Sequence, residues 1–176
     1  MSRKTFKAII LTDEALTEDE LNYDEVFDHV KEYIRYGAGL VIAGLHFPNF
    51  VNSTRFGEFF NKMGVLWLKG EYYRLDFDMN PSCDRELLHG LGLTASGLPA
   101  RYGMKALGAV GANAHEKLYV PVLGGRSQSM VELGETVDPS QAAVVGVKLG
   151  KGRLFYIGDL NWEHGSQELV VRLCGA

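Results

Sequence analysis

The stretch that decides the fold is "LVIAGLHFPNF", residues 40–50. Leu40, Val41, Ile42 and Ala43 form a short apolar run that ends in a turn at Gly44. Such a run reads as a strand buried on both faces, as in a parallel sheet. The loop just past a strand of this kind is where many α/β proteins keep their reactive side chains. Here that loop holds Leu45, His46, Phe47 and Pro48.

Upstream, "FKAIILTDEAL" contains a second apolar run, Ala8 to Leu11, followed by the polar Thr12, Asp13 and Glu14. Thr17 and Glu20 have capping-box spacing. From Tyr23 onward, Val26, Phe27, Val30, Tyr33 and Ile34 recur at helical spacing, and Gly37 and Gly39 supply a stop. Strand, helix and strand make a βαβ unit, which predicts a right-handed parallel crossover.

Downstream, "NSTRFGEFFNKMG" predicts a helix with Phe56, Phe59, Phe60 and Met63 on its apolar face and Gly64 at its end. In "EYYRLDFDM", Tyr73, Leu75 and Phe77 alternate with Arg74, Asp76 and Asp78, the pattern of a half-exposed antiparallel strand. "DRELLHGLG" predicts a short helix that Ser82 or Cys83 would cap, and "YGMKALGAV" and "KLYVPVL" read as short strands. The long polar stretch "GGRSQSMVELGETVDPSQ" predicts a loop. "AAVVGVKLGKGRLFYIGD" predicts a hairpin, and a closing helix follows with Leu169, Val170 and Leu173 inward.

Length and composition narrow the function classes. The chain has 176 residues, enough for one domain that buries roughly 70% of its unfolded surface. The net charge of −4 and the scattered basic residues argue against a nucleic-acid partner or an anionic membrane surface. No run approaches the ~20 apolar residues of a membrane helix. The N-terminal "MSRKTFKAII" lacks the apolar core of a signal peptide. The two cysteines, Cys83 and Cys174, are too far apart for a CxxC motif and point to a reducing, cytoplasmic setting.

"FKAIILTDEALTEDELNYDEVFDHVKEYIRYGAGLVIAG" and "LGKGRLFYIGD" together resemble the class I glutamine amidotransferase-like superfamily. Within it, the "GLH" turn after the second strand is similar to the trehalose-utilisation (ThuA-like) branch, and the whole is similar to fungal proteins of this fold. The resemblance implies an α/β protein of three layers, α/β/α and flavodoxin-like, with a mostly parallel sheet and antiparallel additions. Over 1–176 it implies a single domain that lacks the superfamily's usual first strand and helix. An uncovered strand edge would follow, and with it a homo-oligomer formed along that edge, or a shortened form of the protein.

The resemblance also implies a strained turn after a central strand, where active members carry a cysteine nucleophile. The turn here reads "GLHFP", with no cysteine. One expectation is therefore a non-catalytic domain that works by self-association or ligand binding. The alternative is a ThuA-like enzyme acting on a sugar or small polar substrate. There His46 would serve as acid/base or metal ligand, with Asp13 and Glu14 beside it.

Asp159 and His164 in "GDLNWEHG" follow a strand and, with His46, would make a carboxylate–histidine metal set. Equally, Asp159 caps the last helix while Trp162 packs on the sheet. Cys83 beside a helix start offers a reactive thiolate or an ordinary capping segment, with His89 two turns on. Arg126, Ser127, Gln128 and Ser129 suit an anion or simply a polar loop, and no cofactor is implied. Tyr72, Tyr73, Arg74, Arg101 and Tyr102 suit an interface or a sheet face. None of Ser96, Ser127 and Ser129 sits in a G-x-S-x-G elbow, which argues against a serine hydrolase of that type.

Overall fold

The computed structural model describes residues 6–17, 23–128 and 136–175. Glu20 and Ser129 lie outside them. Seven strands form one sheet: β1 (Ala8–Leu11), β2 (Leu40–Ala43), β3 (Leu68–Met79), β4 (Arg101–Val110), β5 (Lys117–Pro121), β6 (Val144–Leu149) and β7 (Gly152–Ile157). The helices are α1 (Asp24–Arg35), α2 (Phe47–Phe50), α3 (Ser53–Met63), α4 (Arg85–His89) and α5 (His164–Leu173).

The order across the sheet is β1-β2-β7-β6-β5-β3-β4. Strands β1 and β2 pair in parallel on either side of α1, as the βαβ reading requires, and β2 pairs in parallel with β7. The remaining pairings, β7–β6, β6–β5, β5–β3 and β3–β4, are antiparallel. The expectation of a three-layer, flavodoxin-like domain with a mostly parallel sheet is thus overturned. The sheet is mixed and mostly antiparallel, and helices are few.

The physical reason lies between residues 101 and 157. Among the described residues that stretch contains no α-helix. Successive parallel strands need a crossover, usually helical, so strands joined by turns and loops here run back antiparallel.

The sheet also curls into a half-barrel. Strand β4 stands last in the order, yet it bridges back to the far side through Ala106 with Asp159 and Ala109 with Ala142. The amides of Leu107 and Ala109 donate to the carbonyls of Gly158 and Ala142 at 2.9 Å each. A β-bulge in β3 between Lys69 and Tyr72 supplies local bend.

Alternation along the strands divides the core in two. Leu40, Ile42, Phe155 and Ile157 face a cluster with Tyr73, Leu75, Phe77, Leu87 and α5 residues Leu169 and Leu173. Val41, Ala43, Leu154 and Tyr156 face the other, with Phe27, Ile34 and the aromatic face of α3. In that second cluster Phe60 is fully buried, with its ring 4.7 Å from Phe56, 5.0 Å from Phe59, 5.1 Å from Trp67 and 5.7 Å from Tyr156.

The ends of the elements follow local chemistry. Asn52 caps α3 by accepting from the Arg55 amide at 2.8 Å. Asp84, rather than Ser82 or Cys83, caps α4 by accepting from the Glu86 amide at 2.9 Å. The β6–β7 turn docks on α1: the Lys151 amide donates to the Arg35 carbonyl at 3.0 Å. Gly150 is required there, because its φ is +62° and a Cβ would lie 2.4 Å from that same carbonyl oxygen.

Among the described residues no helix is long and apolar enough to cross a membrane. Removing the Phe60 ring leaves a void among the rings of Phe47, Phe56, Phe59, Trp67 and Tyr156. Phe60→Ala is expected to lower stability by about 3–5 kcal/mol, read as a shifted urea midpoint at unchanged slope.

Candidate functional site

The parallel strands β1, β2 and β7 end side by side, so the loops that leave them share one rim. The Gly44 amide donates to the Leu11 carbonyl at 3.1 Å, and the His46 amide to the Thr12 carbonyl at 3.0 Å. The Asn49 side chain donates to the Leu160 carbonyl at 3.4 Å. These bonds tie the β2 turn to its neighbours on both sides.

Two residues on this rim hold a backbone conformation that costs energy. Leu45, the second residue after β2, has φ +58°, and Trp162, in the loop after β7, has φ +56°. Each such residue without a glycine's freedom costs on the order of 1–2 kcal/mol. The Trp162 ring comes within 3.8 Å of where a Cβ on Gly44 would sit, so the two strained turns pack on each other.

Asp159 anchors the second turn. It is fully buried, and its carboxylate oxygens accept from the amides of Asn161 at 3.0 Å and Glu163 at 2.7 Å. Glu163 is the N-cap of α5, so Asp159 anchors the start of that helix. Burial raises the pKa of the carboxyl, against bonds from Ser166 and those two amides that lower it. Ser166, also fully buried, lies 3.3 Å from the Tyr102 hydroxyl, whose own pKa burial pushes up. A polar thread thus runs inward from the rim through Asp159, Ser166 and Tyr102.

The rim's outer side is ionic. Arg74 Nη2 lies 3.5 Å from the Glu163 carboxylate. The Gln128 amide donates to the Arg74 carbonyl at 2.6 Å, which brings the long polar loop alongside. Arg126 bridges to Thr136 within that loop, and Ser127 is buried.

His46 is exposed at the N-cap of α2. Asp13 is exposed and accepts from the Ala15 amide at 3.0 Å; Glu14 is half-buried, and its carbonyl accepts from the Thr17 amide and hydroxyl at 2.7 Å each. His164 is exposed at the first position of α5. Asp13, His46, Asp159 and His164 therefore belong to neighbouring loops. Among the described residues, however, no group of three or more His, Cys, Asp or Glu is arranged to hold a metal ion. The Asp159 oxygens are already engaged by backbone amides.

Neither cysteine lies on this rim. Cys83 is buried in the loop after β3, and burial, reinforced by the Asp84 charge, pushes its thiol up to about 11. Cys174 follows α5, and burial raises its thiol too. The aromatic and arginine groups are spent structurally. The Tyr72 hydroxyl donates to the Pro48 carbonyl at 3.3 Å, that of Tyr73 bonds the Glu71 carboxylate, and Arg101 pairs with Asp78.

Neither residue type announces a positive φ; the strained turn at Leu45 was expected only through the family resemblance, and the one at Trp162 had no signal in the sequence. No family model matches this chain, and no curated protein or solved structure matches it.

Two outcomes follow from these environments. The folded chain keeps a proton on Asp159 at pH values where the unfolded chain has lost it. That contribution is complete below about pH 3.9 and is lost as pH rises through the folded value. Urea unfolding of wild type and Asp159→Asn across acid pH should show the stability of the wild type falling relative to the variant as pH increases. Iodoacetamide labelling of Cys83 in a Cys174→Ala background should follow a thiolate titration centred near 11. A midpoint near the ordinary thiol value would mean that Cys83 is not buried as described.

Proposed function

We propose that this chain is a non-catalytic domain that works by association, with β1 joining the same strand of a second copy. The observation that carries this reading is the contrast between the two ends of the sheet. The β4 end is stitched back to Ala142 and Asp159, so its hydrogen-bonding groups are partly consumed. Along β1 only the β2 side is paired among the described residues. An unpaired row of amides and carbonyls is a template for another strand.

The side chains around that edge favour the same event. Phe6, two residues before β1, is 74% exposed, and Ile10 within β1 is 37% exposed. A net charge of −4 on each copy opposes association only weakly at physiological salt.

The turn after β2 supports the non-catalytic half of the proposal. In the superfamily the sequence resembles, the strained residue of this turn is a cysteine. Here the strained residue is Leu45, which has no group to attack a substrate. The reading in which His46 is an acid/base or metal ligand finds less support, since the Asp159 carboxylate is held by backbone amides.

Light scattering coupled to size exclusion tests the proposal. At concentrations of about 10–100 μM the wild type should elute with twice the chain mass, as expected for an edge contact of modest area. Ile10→Lys, which puts a charge on the edge strand, should return it to a single chain without loss of folded signal. A wild type that stays monomeric across this range overturns the proposal.

A further inference from the structure

The loop after β3, helix α4 and the 3-10 turn at Ala95–Gly97 enclose a cleft of about 450 Å3. That volume falls within the roughly 300–1,000 Å3 of small-molecule sites. Its walls are largely apolar, built by Met79, Cys83 and Leu88, the last two buried. Arg85, His89, Thr94 and Ser96 are the polar groups lining it that face solvent, and His89 Nδ1 already has the Glu86 carboxylate 3.8 Å away.

The cleft is held open by bonds made elsewhere. Asn80 in its wall donates to the carbonyls of Ala114 and Lys117 at 2.9 and 2.8 Å and accepts from the Ser82 amide at 3.0 Å. The buried Tyr119 hydroxyl donates to the Pro99 carbonyl at 2.7 Å, three residues beyond the lining Ser96. The site is therefore pre-formed, which lowers the ordering cost of binding.

Its polar groups are incompletely used. Arg85 makes no ion pair among the described residues, although the chain is acidic and carboxylates are plentiful. Thr94 Oγ1 and Ser96 Oγ lie 3.0 Å apart. One hydroxyl proton is spent between them, and the other remains for a ligand. A guanidinium and a spare hydroxyl beside an apolar cleft match one chemistry, an anionic head on an apolar body.

We propose that this cleft binds a small monocarboxylate with an aliphatic or aromatic body. The carboxylate meets the Arg85 guanidinium and the Thr94–Ser96 hydroxyl pair. The body lies against Met79, Cys83 and Leu88. The Cys83 thiol contributes shape rather than reactivity. Because this site stands apart from the β1 edge, it holds or fails independently of self-association.

Phenylacetate is a suitable probe, with uncharged phenylacetamide as its isostere. Titration followed by protein NMR should give a dissociation constant for phenylacetate of about 1 mM or tighter. The amide should bind about tenfold more weakly, and Arg85→Gln should weaken phenylacetate by about the same factor. Arg85 is exposed, so the variant keeps the fold. Saturating phenylacetate should also slow alkylation of Cys83 several-fold while leaving Cys174 unaffected. No binding up to about 10 mM overturns the proposal. Equal binding of acid and amide, an unchanged affinity in Arg85→Gln, or an unprotected Cys83 each does the same.

Discussion

The structure depends on where β7 lies. This strand is among the last to emerge in sequence, yet it hydrogen-bonds between β2 in parallel and β6 in antiparallel fashion. Without it, the N-terminal pair β1–β2 has no link to the rest of the sheet. Both faces of β7 are core: Leu154 and Tyr156 on one, Phe155 and Ile157 on the other, all without solvent exposure. The N-terminal βαβ unit is therefore completed only when residues more than a hundred positions away arrive. Closing a loop of that length adds little cost at equilibrium but slows folding.

The same strand explains how two strained residues persist. Leu45 and Trp162 leave β2 and β7, which are neighbours, so their turns are held by the same ladder. The strain is offset by the buried Asp159 carboxylate, which fixes the second turn through two backbone amides. A buried carboxylate is tolerable only because each oxygen has a donor. Strain, anchor and ladder are thus one construction. It positions the rim rigidly whether or not any ligand visits it.

How much of this was legible in the sequence varied along the chain. The β1–α1–β2 unit, α3, the β6–β7 hairpin and α5 each rest on local periodicity or on a turn glycine, and each is present. The alternation of Tyr73, Leu75 and Phe77 marked β3 as antiparallel, with those residues inward. What the periodicity did not contain was the pairing order. Strand β3 pairs with β4 and β5 across loops whose lengths say nothing of partner or direction. The missing clue was negative, the lack of any helical pattern from 101 to 157, and it outweighed the family-like glycines. At the candidate site, the position of the rim was legible because it follows from the ends of the strands. Convergence was not: whether Asp13, His46, Asp159 and His164 meet depends on side-chain directions that spacing alone does not set.

The unequal ends of the sheet follow from the same geometry. Strand β3 is long enough, at 12 residues, to bend at its bulge and bring β4 round to Ala142 and Asp159. Strand β1 has only four residues and no bulge, so it has no means of curling toward a partner of its own chain. Short edge strands are one way proteins discourage pairing. Four residues of ladder alone would make a weak contact between chains. Any stable pairing there must draw on apolar side chains flanking the ladder, and Phe6 and Ile10 are the ones the fold leaves outside its own core. The edge is thus limited in backbone and supplemented in side chain.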